Sequence, residues 1–347
     1  MVRILYGVAG EGMGHAVRTL PLLAHLASCG HEIVVVAGGR AAAYLRRHGS
    51  EVREVAYLPV EYRDGAVHDT LTALTNISRL PSYVRSLVQL SRFFREFRPD
   101  GVVTDFELFT SYVAAFRGVP LLSVGNHQSL TRAEVDVPVS HLMDAWKTRA
   151  VTRLMTPFAS RFVVASLRKD VPVVPGTALV DPPLREDVLA LRPGSGKHVL
   201  VYQTSSSDAR LLDTLRRVDA SFVVYGYPRQ GKDRNLLFRR FNERRFFADL
   251  ASARAVITNG GFSLTSEAVF LGKPLLVQPV RKQYEQVHNA RDVARLGFGR
   301  FEPVLTPDIV SSFISDLGKY RAALSAYRHD RNVGILAELD RFTASLQ

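Results

Sequence analysis

The sequence predicts an α/β protein made of two doubly wound parallel-sheet domains. Short apolar strands alternate with helical segments along both halves of the 347 residues, the pattern of consecutive βαβ units. A stretch rich in proline and glycine, Val171–Gly196, separates the halves and reads as a linker. Each half also carries a glycine turn directly after an apolar strand, where such sheets bind their ligands. A chain of this length accommodates two domains with proper cores.

In the first half, Arg3–Val8 and Glu32–Ala37 are continuous apolar runs that read as buried strands. Ala16–Cys29 has Leu20, Leu23, Ala24 and Ala27 at helical spacing, and Ala41–His48 is helical with Gly49 as its stop. Val52–Ala56, Gly101–Thr104, Pro120–Val124 and Arg161–Ala165 are further strands, with a helix over Glu107–Arg117. The second half repeats the alternation. His198–Gln203, Ser221–Tyr225, Ala255–Thr258 and Pro274–Gln278 are strands, and Asp213–Arg217, Phe246–Ser252, Leu264–Leu271 and Tyr284–Arg295 are helices. The expected division is 1–180 for the first domain, 181–196 for the linker and 197–321 for the second domain, with a helical 322–347 at the end. Ligand loops of the two domains are expected to face each other across a cleft.

The composition is that of a globular protein, 46% hydrophobic and 22% charged. No apolar run is long enough to span a bilayer and none reads as a secretory leader. Cys29 stands alone, so no internal disulfide forms, and a reducing cytoplasm is the expected compartment. The net charge of +12 suits an anionic membrane surface or an anionic substrate. Arginine outnumbers lysine, and a GC-rich genome explains part of that charge equally well. No basic segment with interleaved aromatics points to nucleic acid.

The most informative stretch runs from Ile257 to Asn289. An apolar strand meets Asn259, Gly260 and Gly261, and Ser263, Leu264, Thr265 and Glu267 follow on a helix start. Free N–H groups and the positive end of the helix dipole make such a turn an anion site. Glu267 sits about one turn further in, where a carboxylate accepts hydrogen bonds from the vicinal hydroxyls of a ribose. The alternative is an ordinary βα unit with a glycine turn.

Glu267, then Gly272-Lys273-Pro274, Pro279 and Glu285-Gln286-x-x-Asn289 together resemble the donor-sugar signature of the GT-B glycosyltransferases. The likeness is to the UDP-dependent enzymes of plant secondary metabolism and to MurG-like bacterial enzymes. It implies a GT-B fold of two Rossmann-like domains, with the last helix crossing back to the first domain. It further implies that Gly260, Gly261, Ser263 and Thr265 meet the diphosphate, Glu267 the ribose, and Glu285 and Gln286 the donor sugar. Leu264 and Gln283 are expected beside them. Two features depart from the plant pattern: Asn259 stands where that pattern has His, and the stretch from Pro279 to Glu285 is longer.

The loop Gly10-Glu11-Gly12-Met13-Gly14-His15 follows the first strand. It is not a dinucleotide fingerprint. The third glycine would fall at His15, and Ala37-Gly38-Gly39 stand where the ribose-binding acid belongs. The loop resembles the glycine-rich loop that opens GT-B enzymes, which makes Gly12 and Gly14 donor-contacting residues and His15 the general base for the acceptor hydroxyl. Imidazole suits that task because it titrates near neutrality. Asp105, at the end of Val102-Val103-Thr104-Asp105, is the expected partner that orients the ring. The alternatives are a phosphate-facing or capping His15 and an N-capping Asp105.

Asp105-Phe106-Glu107 is a poor match to the metal-binding Asp-x-Asp of GT-A enzymes, and the sequence holds no Cys/His cluster for zinc. The expectation is therefore no metal and no cofactor, with backbone N–H groups and hydroxyls stabilising the leaving diphosphate. Thr204 and Ser205, after the first strand of the second domain, are expected at the phosphates or as helix caps. Phe246 and Phe247 are expected at the base or in the core. Pro81–Arg98, with Val84, Leu87, Val88 and Phe94 beside Arg85, Arg92 and Arg95, reads as a basic amphipathic helix for an anionic membrane or an acceptor groove, or as an ordinary surface helix.

The function expected is inverting transfer of a sugar from a nucleoside diphosphate, foremost a UDP-sugar, to the hydroxyl of a lipid-linked or anionic acceptor. The protein would be cytoplasmic or peripheral on the inner membrane face. The alternatives are a non-hydrolysing UDP-sugar epimerase and a non-catalytic, membrane-associated binding protein of the same fold.

Overall fold

The computed structural model describes residues 1–63, 65–203 and 209–347. The chain forms two compact units. The first comprises 1–61, 69–185 and 330–347, and the second comprises 62–68 and 186–329.

The first unit is a seven-stranded, all-parallel sheet. Its spatial order is Val52–Glu54, Glu32–Ala37, Arg3–Val8, Gly101–Asp105, Leu121–Val124, Arg161–Ala165, Thr177–Val180. The first three strands of this sheet in sequence run outward one way, then the order reverses beside Arg3–Val8. That reversal makes the gap between Arg3–Val8 and Gly101–Asp105 the topological switch point, where ligands bind outside the carboxyl ends of the strands. Alternation along each strand fills both faces. Ile4, Tyr6 and Val8 face a core completed by Leu22 and Leu26, whereas Leu5 faces one completed by Leu90, Phe94 and Phe109.

The second unit repeats this plan with one change. Leu236–Phe238, Ser221–Tyr225, His198–Tyr202, Ala255–Thr258, Leu275–Val277 and Gly299–Phe301 are parallel neighbours, and Gly231–Asp233 adds an antiparallel edge. The order reverses between His198–Tyr202 and Ala255–Thr258. Val199, Val201, Phe222 and Val224 pack under Val310, Phe313 and Leu317 from helices Pro307–Ser315 and Leu317–Ala326.

Several elements differ from the sequence expectation. The first helix begins earlier, at Met13, and so contains His15. The region expected to be one helix over 322–347 is two, because Tyr327–Asn332 interrupts it and Arg331 and Asn332 adopt left-handed backbone. Only the second of them, Val333–Ala344, belongs to the first unit, so the chain returns at 330 rather than 322. Asn332 fixes that return: its amide donates to the Leu184 carbonyl and accepts from the Leu184 N–H, both at 2.8 Å. Phe342 and Leu346 then lie so close to Gly101 that a Cβ there would come within 2.5 Å of Leu346. Thr177–Val180 is an edge strand within the proline-rich stretch that reads as linker from sequence, and the first unit extends to Arg185. The small antiparallel hairpin Tyr62–Arg63/Ala66–Val67 was not expected, and it is built into the second unit.

Candidate active site

At the first switch point, Val8 lies in register beside Asp105, and the Ala9 N–H donates to the Asp105 carbonyl at 3.0 Å. The chain leaves Val8 through a loop that ends at Gly12, whose φ of 77° is the left-handed backbone glycine tolerates. Helix Met13–Ser28 then starts, with Gly14 and His15 in its first turn. His15 and Arg18 are three residues apart and therefore share one helix face. Both reach Asp105. His15 Nδ1 is 2.8 Å from Asp105 Oδ1. Arg18 donates through Nε to Oδ2 at 2.6 Å and through Nη2 to Oδ1 at 2.5 Å. Its Nη1 donates to Asn126 Oδ1.

The cluster is buried: Arg18 is 4% exposed and Asp105 1%. Burial alone would raise the Asp105 carboxyl, but the Arg18 guanidinium and His15 outweigh it and hold the carboxyl below its ordinary range. Burial lowers the His15 imidazole, and Arg18 lowers it further against the opposing pull of Asp105. Asp105 can only accept and Arg18 Nη2, 2.9 Å from the same Nδ1, can only donate; with the imidazole proton on Nδ1 toward Asp105, the lone pair is left on Nε2. That is the tautomer a general base needs.

The surrounding backbone is shaped for this. Phe106 has φ 59°, an uncommon conformation for a bulky residue and one that clusters at functional sites. Its ring stacks on His127 at 4.1 Å, and His127 lies over His15 at 5.0 Å. Gly125 has φ 144°, and a Cβ on it would lie 3.0 Å from both Arg18 Nη2 and Asp105 Oδ1. The helix after Asp105 is capped by Glu107, not by Asp105. Glu107 accepts from the N–H groups of Phe109 and Thr110 and from the Thr110 hydroxyl. Asp105 is thereby left for His15 and Arg18, while the second carboxylate of the Asp-x-Glu pair is committed to its helix.

The second switch point is built differently. After Ala255–Thr258 the turn Asn259-Gly260-Gly261 leads into helix Phe262–Phe270, and no side chain among the described residues caps that helix. Gly260 has φ 85°, and a Cβ there would meet Val277 at 2.8 Å and the Gln286 carbonyl at 3.1 Å. Asn289 donates to the Gly260 carbonyl at 2.9 Å, and Asn259 donates to the Gln278 carbonyl at 3.0 Å. The polar side chains here therefore hold the backbone, and the helix N-terminus carries the positive dipole end. Ser263 is half-buried and Leu264 buried. Thr265 is fully buried and its hydroxyl donates to the Gly261 carbonyl at 3.0 Å, so that hydroxyl is bonded to its own helix. Glu267, a turn further, is 4% exposed.

Helix Tyr284–Arg295 places Glu285 in its first turn and Gln283 at its N-cap position. Gln286 accepts from the Val280 N–H at 2.9 Å, closing the loop that precedes it. The 62–68 hairpin is joined to this loop. Val67 donates to the Arg281 carbonyl and Arg281 to the Gly65 carbonyl, both at 3.1 Å, and Gln283 donates to the Tyr62 hydroxyl at 2.9 Å.

The structure thus brings His15 to Asp105, with Gly12 and Gly14 in the adjoining turn, and brings Gly260 to Gln286. Phe246 and Phe247 are both buried, Phe246 edge-on to Tyr225 at 5.1 Å and Tyr202 at 5.6 Å, so their rings belong to the core. Thr204 and Ser205 lie outside the described residues. Sequence reasoning missed Arg18, Asn126 and His127, and it had Asn289 only as part of a signature, without its hydrogen bond to the Gly260 carbonyl. Arg18 left one signal, a charge one helical turn after His15 in an otherwise apolar segment. A hollow of about 600 Å³ lined by Lys197, Arg254 and Arg321 lies at the opposite, amino ends of the second unit's strands and contains none of the expected residues.

Known proteins share this architecture. The chain is similar over its full length to the glycosyltransferase of kitacinnamycin (TM-score 0.72, 20% identity, covering 100% of this chain and 99% of that one). It is also similar to Phytolacca americana UGT2 complexed with UDP-2fluoro-glucose and pterostilbene (TM-score 0.69, 17% identity, 100% and 99% covered). At these identities the likeness shows the GT-B fold alone. An uncharacterized glycosyltransferase of Methanosarcina acetivorans is 24% identical over 339 residues, covering 88% of this chain and 87% of the relative. The family model described as glycosyl transferase family 1 matches residues 2–318, and the chain accordingly belongs to that family and is a glycosyltransferase of GT-B fold.

Proposed function

We propose that the protein transfers a sugar, with inversion, from a nucleoside diphosphate to an acceptor hydroxyl, and that a UDP-sugar is the donor. His15 takes the acceptor's proton through Nε2, and Asp105 orients the ring through Nδ1 and stabilises the imidazolium that forms. The glycine turn 260–261 and the N-terminus of helix Phe262–Phe270 hold the leaving diphosphate. Glu267 takes the ribose, and Glu285 and Gln286 take the sugar. Neither a metal nor a cofactor enters this scheme. The observation that carries the reading is the half-buried His15 hydrogen-bonded to the buried Asp105 at a switch point. The bound UDP-sugar of the Phytolacca enzyme supports the choice of nucleotide.

The test is calorimetric titration with UDP, dTDP and GDP without added metal, on wild type and Glu267→Ala. One nucleotide binding in the micromolar range and weakened in the variant supports the scheme. Binding of none of them, with no turnover, would favour a non-catalytic binding protein.

An apolar, membrane-seated acceptor fits the surface of the first unit. Leu74 and Ile77 on helix Asp69–Ser78, Val84 and Val88 on helix Leu80–Phe97, and Trp146 and Leu154 on helix Leu142–Met155 are exposed. Arg85, Arg92, Arg95 and Arg153 on the same helices are exposed too. Apolar side chains flanked by arginine suit the interface of an anionic bilayer. Among the described residues no helix is long and apolar enough to cross one. Sedimentation with phosphatidylglycerol vesicles but not phosphatidylcholine vesicles, lost on Ile77→Glu/Val84→Glu, supports peripheral attachment to an anionic bilayer. Binding to neither, or equal binding to both, sinks it.

A further inference from the structure

We propose that Arg18 is the positioning residue of the His15–Asp105 pair: it clamps the carboxylate from one side and, by its charge next to Nδ1, keeps His15 the neutral base. The inference rests on the reading of His15 as base.

The geometry carries it in three steps. First, the guanidinium grips both oxygens of Asp105, through Nε to Oδ2 at 2.6 Å and Nη2 to Oδ1 at 2.5 Å. A planar fork on a planar carboxylate fixes its orientation, which a point-charge ammonium does not do. Nη1 is held in turn by Asn126, and position 125 has no side chain, where a Cβ would lie 3.0 Å from both Nη2 and Oδ1. Oδ1 therefore has one place to be, and His15 Nδ1 finds it there at 2.8 Å.

Second, the charge of Asp105 is already matched. In a two-residue His–Asp pair the carboxylate is free to favour the imidazolium. Here a buried arginine has taken that charge, so protonating His15 leaves a buried cluster with a net positive charge. Such a state is costly away from water.

Third, Arg18 Nη2 lies 2.9 Å from the same Nδ1. With the Nδ1 proton committed to Asp105 the two donors face each other, and a positive ring would meet a positive guanidinium. Among the described residues, the titratable and charged groups that act on His15 are Asp105 from the strand end, Arg18 from its own helix and His127 from the segment after Leu121–Val124. Phe106 contributes an apolar ring at 6.0 Å. Glu107, two residues from Asp105, is turned to its own helix. Asp105 is the single anion of the set, and Arg18 neutralises it.

The consequence is a base that stays unprotonated into mildly acid solution. The experiment is a titration of His15 by NMR on histidine-labelled protein, its resonance identified by its loss in His15→Ala, together with kcat/KM against pH. In wild type His15 is expected to titrate below the ordinary value of about 6.5. In Arg18→Met its titration and the acid limb of kcat/KM are expected to move up together. A displacement of one pH unit costs roughly tenfold in kcat/KM on the acid side. Arg18→Lys retains the charge without the fork, so it is expected to lower kcat while leaving the acid limb near its wild-type position. A structural role alone would lower activity at every pH equally and move neither titration. An Arg18→Met protein whose His15 titrates as in wild type overturns the proposal. So does a wild-type His15 that titrates at or above the ordinary value, a result that needs no folded variant. If instead His15→Ala keeps full turnover, the base reading fails, and the NMR titration still decides what Arg18 does to His15.

Discussion

The two switch points occupy equivalent places in two sheets of similar order, yet they are built from opposite materials. The first is made of side chains. His15, Arg18, Asp105 and Asn126 converge in a buried ion cluster around one imidazole. The second is made of backbone. Gly260 and Gly261 expose a helix N-terminus, and Asn259 and Asn289 act on carbonyls to hold the turn. A proton transfer needs one nitrogen of defined basicity, which only a fixed side-chain environment provides. A diphosphate needs several convergent N–H donors, which backbone supplies without side-chain entropy. In the proposed scheme one topology serves two chemistries through the loop it carries.

The largest expected effect separates the two regions. His15→Ala should lower turnover by about 10²–10⁴-fold while nucleotide affinity holds, measured by steady-state kinetics beside calorimetry. Glu267→Ala should do the reverse in kind, with affinity falling first. Equal losses of both quantities in both variants would erase the distinction. Next, Gly260→Ala forces a Cβ onto left-handed backbone and against Val277. A loss of about 1–3 kcal/mol in chemical denaturation is expected, with nucleotide binding lost. Asn289→Ala should cost about 1–3 kcal/mol by leaving the buried Gly260 carbonyl unbonded.

Acid should act on the first region. The Asp105 carboxyl is depressed in the folded state, so its stabilisation is present above the unfolded value of about 4 and drains away below it. His15 is also depressed, so its neutral form stabilises the fold above about 6.5, and that contribution falls as pH drops beneath this value. Denaturation midpoints should fall with acid over both windows, and His15→Ala should flatten the upper one. The smallest effect is that of Glu107→Ala, which removes a helix cap for about 0.5–2 kcal/mol and leaves nucleotide affinity unchanged.

Much of this was legible in the sequence for physical reasons. Strands buried on both faces must be continuous apolar runs, and Arg3–Val8, Glu32–Ala37 and Ala255–Thr258 stand out at their observed boundaries. Gly260 was legible because its backbone excludes other residues. Arg18 was not, because its partners are remote in sequence and a lone arginine in a helix is ordinary. The direction of the Thr265 hydroxyl was not legible, because a threonine in a first turn can bond forward to a ligand or back to its helix, and here it bonds back. Short edge strands such as Tyr62–Arg63 and Gly231–Asp233 carry too few residues to show a period.

The 62–68 hairpin bears on how this protein can be cut and recombined. Its residues come from the first third of the chain, but its hydrogen bonds to Arg281 and Gln283 make it part of the second unit. The units exchange chain at 61/62, 68/69, 185/186 and 329/330. An excised 186–329 fragment therefore lacks a strap on the very loop that leads into Glu285 and Gln286. A chimera joined at 185/186 gives that loop a strap selected for a different partner. Exchanging acceptor specificity by swapping halves must move the hairpin with the loop it braces, so the natural unit of exchange is discontinuous.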